Sequence, residues 1–461
     1  MSHSTLRRVA KRRGQRLAAT VAIAALALTA CAQSNPAGAP SSAPSSASSS
    51  APTAAPSSAP KEEGPVTIRF SWWGSDTRHA LTQKVIDAFE AKYPNIKVEG
   101  DFTDWAGYWD KLATETAAGD TPDVITQEER YLREYATRGV LLDLKTVADT
   151  LDTSKLDPSI VGAGTFDGKM YGVPTGVNVY TIVADPQAFA DAGVKMPDDK
   201  TWKWADYLDI ATKISKASGG KVYGTQDYGF NEPGFSIYAR QQGQSLYKED
   251  GKIGYDDKLL AEWWQLSVDL RKAGAQPDGA KSVEVDSAGP EGSLLGTHTG
   301  AMGVWWTNQL AAISKASGRK LELLRFPGES EYKRTGMYFK PAMYHSISAK
   351  SKHPQAAAQF VDFLENSPEA GKLLLSDRGL PANLEVRTAV QANFAPADQQ
   401  AAAFLTDLQD EIVDGVAVPP VGSGEVAKIV RRINGEVLFD RLTPEQAAKQ
   451  FTTELKVATK Q

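Results

Sequence analysis

The sequence predicts an α/β protein of two lobes, and three observations lead there. Roughly 400 residues follow a low-complexity N-terminal stretch, more than one domain usually holds. Strand and helix patterns alternate through the first of them, as in lobes built on a largely parallel sheet. Cys31 is the only cysteine in the 461 residues, so the folded part has no internal disulfide and depends on its own core.

Val66-Thr67-Ile68-Arg69-Phe70 alternates apolar and polar side chains, the period of a half-buried strand. After Trp72-Trp73-Gly74-Ser75-Asp76, apolar residues recur at Leu81, Val85, Ile86, Phe89 and Tyr93, a helical period that stops at Pro94. Ile96 to Phe102 reads as a second strand, Trp109 to Ala117 as a helix, Asp123-Val124-Ile125 as a short buried strand and Arg130 to Arg138 as a further helix. Later the pattern turns more helical. Trp204, Tyr207, Leu208, Ala211 and Ile214 share one face, as do Leu259, Leu260, Trp263, Ser267 and Leu270. Of the adjacent Trp263 and Trp264, this period predicts one in the core and one at the surface. Ser367-Pro368-Glu369 offers an N-cap, a first-turn proline and an acid at the positive helix end, and Thr443-Pro444-Glu445-Gln446 fits a capping box.

The first thirty residues form a secretory signal: a basic head (Arg7, Arg8, Lys11, Arg12, Arg13, Arg16), then an uncharged apolar run from Leu17 to Ala30. That run is shorter than the roughly 20 apolar residues a bilayer core requires. Leu28-Thr29-Ala30-Cys31 looks like a bacterial lipobox, in which Cys31 becomes the lipidated first residue; the alternative is an ordinary cleavage site with a bystander cysteine. Residues 31–63 combine that Cys with an Ala/Ser/Pro-rich stretch too poor in apolar bulk to fold, an extended tether. Removing residues 1–30 takes away six basic and no acidic residues, which moves the net charge from −5 to −11. An acidic chain of this kind carries no footprint for nucleic acid.

Several stretches, in their order and spacing over residues 66–455, resemble the extracellular solute-binding proteins of ABC importers, in the branch that includes maltose-binding proteins. These are Gly168-Lys169-Met170-Tyr171-Gly172-Val173-Pro174, Tyr180 to Val194, Thr201-Trp202-Lys203-Trp204, Gly300-Ala301-Met302, His353-Pro354-Gln355-Ala356-Ala357 through Leu364, and Arg378-Gly379-Leu380-Pro381. The resemblance implies a two-lobed periplasmic-binding-protein (clamshell) fold with multiple interlobe crossovers. Lobe 1 is expected at 66–172 plus 345–390 and lobe 2 at 173–344 plus 391–461. A ligand would bind in the cleft and the lobes would close on it by a hinge motion. The implied partners are a carbohydrate, the permease subunits of the importer, and the outer face of the cell membrane through the lipid anchor. The implied state is a monomer with no cofactor.

A sugar offers flat C–H patches and a rim of hydroxyls, so its site needs aromatic plates and planar hydrogen-bonding groups. Ten tryptophans are present. Trp72 and Trp73 follow the first strand, where open α/β sheets bind ligands; alternation with Val66, Ile68 and Phe70 turns Trp72 into the core and leaves Trp73 as the plate. Asp76 in the same loop could accept hydroxyl protons or cap the next helix. Trp105 is either a cleft residue or a helix staple. Gln127, Glu128 and Glu129 align with the family's ligand-contacting loop, with Gln127 and Glu129 the candidates. The resemblance also points to Asn178, an amide where the maltose branch has an acid, to Glu232 in an Asn231-Glu232-Pro233 turn with Tyr228 nearby, and to Trp305 and Trp306 beyond the Gly300 strand, at least one of which should reach the cleft. The stacking tryptophan that the maltose branch carries near Pro419 to Glu425 is missing here.

A secreted carbohydrate-active enzyme is the main alternative, with Asp76, Glu129 and Glu232 as its carboxylates, although the sequence sets no distance between them. No G-x-S-x-G or H-E-x-x-H motif is present, and His79, His298, His345 and His353 lack metal-ligand spacing. A surface sensor or adhesin on the same fold is a third reading.

Overall fold

The computed structural model describes residues 65–461, apart from residues 75, 333 and 413; the signal peptide, Cys31 and the tether lie outside the described residues. Strand β1 (Val66–Trp73) pairs in parallel with β2 (Ile96–Thr103) and with β3 (Val124–Gln127). Each strand is followed by a helix: α1 (Asp76–Lys92), α2 (Trp105–Ala118) and α3 (Glu129–Thr137). The sheet continues antiparallel through Tyr344–Ile347 to an edge strand at Val173–Pro174. Ile68, Phe70 and Trp72 share one pleat face and bury against Val85, Ile86 and Phe89 of α1, as the two sequence periods require. Trp72 closes that face by donating its indole N–H to His79 Nδ1 at 3.1 Å.

A second sheet is built on Tyr180–Ala184, flanked antiparallel by Met302–Trp306 and Glu322–Leu324. Beside it lie the helices Trp204–Ala217, Glu232–Gln241, Asp257–Lys272, Val426–Leu438 and Pro444–Ala458. Trp263 and Trp264 are both fully buried, contrary to the expectation that one faces water. The helix that carries them is covered by the two C-terminal helices, and Trp264 donates its indole N–H to Asn434 Oδ1 at 3.0 Å. The predicted caps are present: Ser367 accepts from the Glu369 N–H, and Thr443 with Gln446 forms a capping box.

Between the two sheets the chain passes through a three-stranded antiparallel ribbon. Gly176–Asn178 is its centre, with Lys340–Pro341 on one side and Leu380–Pro381 on the other. Three distant segments therefore run side by side where the chain leaves one sheet for the other, which gives a two-lobed clamshell with multiple crossovers. Among the described residues, no helix is long and apolar enough to cross a membrane.

Candidate ligand-binding cleft

The C-terminal end of β3 delivers three polar residues to the mouth of the ribbon. They form no loop. Gln127 ends the strand, Glu128 caps α3 by accepting the Arg130 N–H at 2.9 Å, and the helix begins at Glu129. The Arg130 Nε–H also reaches Glu128, at 3.0 Å from Oε2, and Arg130 Nη1 stands 3.9 Å from Glu232 Oε1 of the second lobe. Lys340, on the ribbon opposite Asn178, places its ammonium 3.4 Å from both Glu128 Oε1 and Glu129 Oε1. The same ammonium lies 5.3 Å from the centre of the Trp306 ring, within cation–π reach. On the other flank, the Arg130 guanidinium lies 6.0 Å from the Trp105 ring, and Trp105 meets Trp73 edge-on at 4.9 Å.

Two cations thus face three carboxylates, and the two neighbouring glutamates separate. Burial raises Glu128, but Arg130 and Lys340 outweigh it and hold that carboxyl down at about 2. Burial also raises Glu129, Glu128 and Glu232 add to it, and Lys340 with Arg130 only partly opposes them, so this carboxyl is pushed up to about 7. The ordinary value is 4.5, so between 4.5 and about 7 the folded chain holds a proton at Glu129 that the unfolded chain releases. Stability from this group is therefore present at pH 4.5 and lost as pH rises through 7. With an edge of the carboxylate still exposed, the expected change is about 2 kcal/mol. Urea titrations between pH 5 and pH 8 should show it, and Glu129→Gln should flatten that slope.

Two adjoining hollows open beside this cluster, of about 320 and 450 Å³. Glu129, Glu249 and the irregular segment Asp414 to Ala417 wall both of them. Arg130, Glu232, Arg240, Tyr247 and Tyr338 complete the first, and Ser159, Gly162, Thr165, Phe339 and Tyr344 help close the second. Arg240 is held in place by the carbonyls of Gly336, Asp414 and Gly415 and by the Asp414 carboxylate. Tyr247 lines the first hollow, and its buried hydroxyl has no partner among the described residues. A buried hydroxyl without a hydrogen-bond partner costs free energy.

Of the residues singled out from the sequence, Glu129 and Glu232 line the hollows, while Asn178 pairs with Lys340 in the ribbon and the Trp306 ring lies beside the Lys340 ammonium. Trp105, 39% exposed, stands behind Arg130. Trp73 is only 8% exposed and spends its ring on Trp105, Tyr108 and Trp109, so it is as much a core residue as a plate. Asp76 is exposed in the first turn of α1. Gln127 is completely buried, its amide unpartnered among the described residues. Tyr228 is a core residue whose hydroxyl donates to the Trp263 carbonyl at 3.2 Å. Trp305 turns into the core of the second lobe, its indole nitrogen 2.9 Å from where a Cβ on Gly303 would stand. The sequence reading passed over Arg130, Lys340, Arg240 and Tyr247. Only Arg130 had a signal, its place directly after two candidate glutamates.

Residues 73–371 match the bacterial extracellular solute-binding protein family. The diacetylchitobiose binding protein DasA of Streptomyces coelicolor is 26% identical over 339 residues, 72% of this chain and 76% of that protein. The arabinooligosaccharide-binding protein of Bacillus subtilis is 23% identical over 409 residues, 84% and 91% of the two chains. An extracellular solute-binding protein of family 1 from Alicyclobacillus acidocaldarius has a solved structure that superposes with a TM-score of 0.70 at 30% identity, covering 87% of this chain and 100% of that one. With the ribbon between two lobes and a polar cleft at its mouth, the match settles the family: the chain belongs to the bacterial extracellular solute-binding proteins.

Proposed function

We propose that this protein captures an oligosaccharide in the cleft and presents it to the permease of an ABC importer. The observation that carries the reading is the Arg130–Glu232 pair on the wall of the first hollow, with the exposed Trp105 ring 6.0 Å from the Arg130 guanidinium. An apolar plate next to charged hydrogen-bonding groups matches the two chemical faces of a sugar ring. The hollows are of the size that small-molecule ligands occupy, about 300–1,000 Å³. Relatives named for diacetylchitobiose and for arabinooligosaccharides support the same class. The cleft is read as a binding site, and a sugar incubated with the protein is expected to be recovered uncleaved.

We place the lobe boundaries at the ribbon: Gly176–Asn178, Lys340–Pro341 and Leu380–Pro381. We put the first crossing after Val173–Pro174, which pairs in the first sheet. Cys31 is proposed as the lipid attachment, with residues 32–63 as the tether that holds a monomeric binder off the outer membrane face.

Calorimetry and thermal-shift screening with diacetylchitobiose, arabinooligosaccharides and other neutral oligosaccharides test the ligand class. Stabilisation by one such class is expected. A response to peptides or polyols alone would overturn it. Trp105→Ala is expected to weaken the bound sugar at least tenfold while leaving the melting temperature nearly unchanged, because its ring is already partly in water. Unchanged affinity would remove Trp105 as a plate. Trp73→Ala is the poorer test, since deleting a buried aromatic costs about 3–5 kcal/mol by itself.

A further inference from the structure

A second set of contacts joins α3 to the other lobe, gripping Val418 and Pro419 where they wall the hollows. None of Tyr131, Arg133, Ser423 and Gly424 lines either of them. Arg133 donates from Nε to the Pro419 carbonyl at 3.2 Å and from Nη2 to the Val418 carbonyl at 3.3 Å. Ser423 donates its hydroxyl to the Arg130 carbonyl at 2.8 Å. The Tyr131 ring lies so close over Gly424 that a Cβ there would stand 3.0 Å from Tyr131 Cε1.

Both sides of this contact are set before they meet. On the α3 side, the Arg133 guanidinium lies 4.5 Å from the Phe166 ring, and Tyr131 stacks on Trp109 at 3.8 Å between ring centres. On the other side, Gly422 adopts φ +87°, and a Cβ there would come 1.9 Å from the Ala458 carbonyl oxygen, so the turn is pressed onto the last helix. Ser423–Glu425 then runs directly into the helix Val426–Leu438. A fork of two guanidinium bonds to fixed carbonyls needs no ligand to form.

We propose that Tyr131 and Arg133 clasp the 418–424 segment and hold the cleft closed in the absence of any ligand. The first turn of the same helix carries Glu129 and Arg130, so closing the clasp also seats the polar cluster of the cleft. A binder whose closed state is already populated loses little affinity to conformational selection, because apparent affinity scales with the fraction of competent molecules. The inference is independent of which solute is bound.

The test is double electron–electron resonance on the full chain carrying Cys31→Ser, with nitroxides at Lys84→Cys on α1 and Lys449→Cys on the last helix, both exposed positions. Without ligand, the parent chain is expected to show a dominant short distance. Arg133→Ala should transfer most of that population to a longer one, and Arg133→Lys, which keeps the charge but not the fork, should fall between. Gly424→Val, a wedge under Tyr131, should open the cleft without touching Arg133. The proposal is overturned if the ligand-free parent shows only the long distance, or if Arg133→Ala and Gly424→Val both leave the distribution unchanged.

Discussion

Arg130→Ala is expected to abolish solute capture and to cost about 3–5 kcal/mol of folding stability, the usual penalty for removing one partner of a buried pair. Arg130 is the strongest of the groups holding Glu128 ionised, and Glu128 has only 5% of its side chain exposed. Without it, Lys340 must answer for both Glu128 and Glu129 from 3.4 Å, and Glu232 loses its charged neighbour across the cleft. The carboxyls would take up protons or the cleft would admit water, and either breaks the shape of the first hollow. Glu128→Gln added to Arg130→Ala should restore much of the stability, because the uncompensated charge is gone. It should not restore binding, because the guanidinium beside Trp105 is still missing. Urea denaturation and calorimetry on both variants separate the two effects. A single variant as stable as the parent would show that Glu128 is not held by Arg130.

What the sequence discloses here follows period and adjacency, and what it conceals depends on assembly. The pleat that carries Val66, Ile68 and Phe70 inward also carries Trp72, so its burial and the turn of Trp73 to the opposite face follow from counting by two. The same count applies to Trp305 and Trp306: neighbours on one strand face opposite ways, and it is Trp305 that enters the core while Trp306 meets the Lys340 ammonium. Tyr228 lies near Glu232 in sequence, yet its side chain goes to Trp263, because adjacency along an irregular segment says nothing about direction. The core placement of Trp264 is set by helices that begin more than 150 residues later, beyond the reach of any local period. Lys340 is the clearest case of concealment. Its role exists only because Lys340–Pro341, Gly176–Asn178 and Leu380–Pro381 come together as one ribbon. The Asp414 to Ala417 wall of the hollows has no regular structure, so no periodicity announces it.

Gly176→Val is expected to be the most damaging change at the hinge. A Cβ on Gly176 would stand 2.2 Å from the Arg378 carbonyl oxygen and 2.9 Å from both the Gly379 carbonyl carbon and the Leu380 carbonyl oxygen. All three are backbone atoms, so no rotamer change relieves the clash, and the strand Leu380–Pro381 must part from Gly176–Asn178. Recoil in the other direction is blocked as well. Arg378 is fully buried, with Nη2 donating to Thr82 Oγ1 at 2.7 Å and its guanidinium beside His345 and the Phe70 ring. Moving its carbonyl would drag a buried cation away from its partners. A loss of about 3 kcal/mol or more is expected, at the upper end of overpacking costs. Whatever fraction folds should bind weakly, since Asn178 and Lys340 ride on the same ribbon. Gly162→Ala is the matched control: its φ of −62° and ψ of −27° suit any residue, and a Cβ there meets nothing within 4 Å. That change should stabilise slightly or leave the urea midpoint where it was. If Gly176→Val proved as stable as Gly162→Ala, the close approach of the three hinge strands would have to be abandoned, and with it the placement of Lys340 against both glutamates.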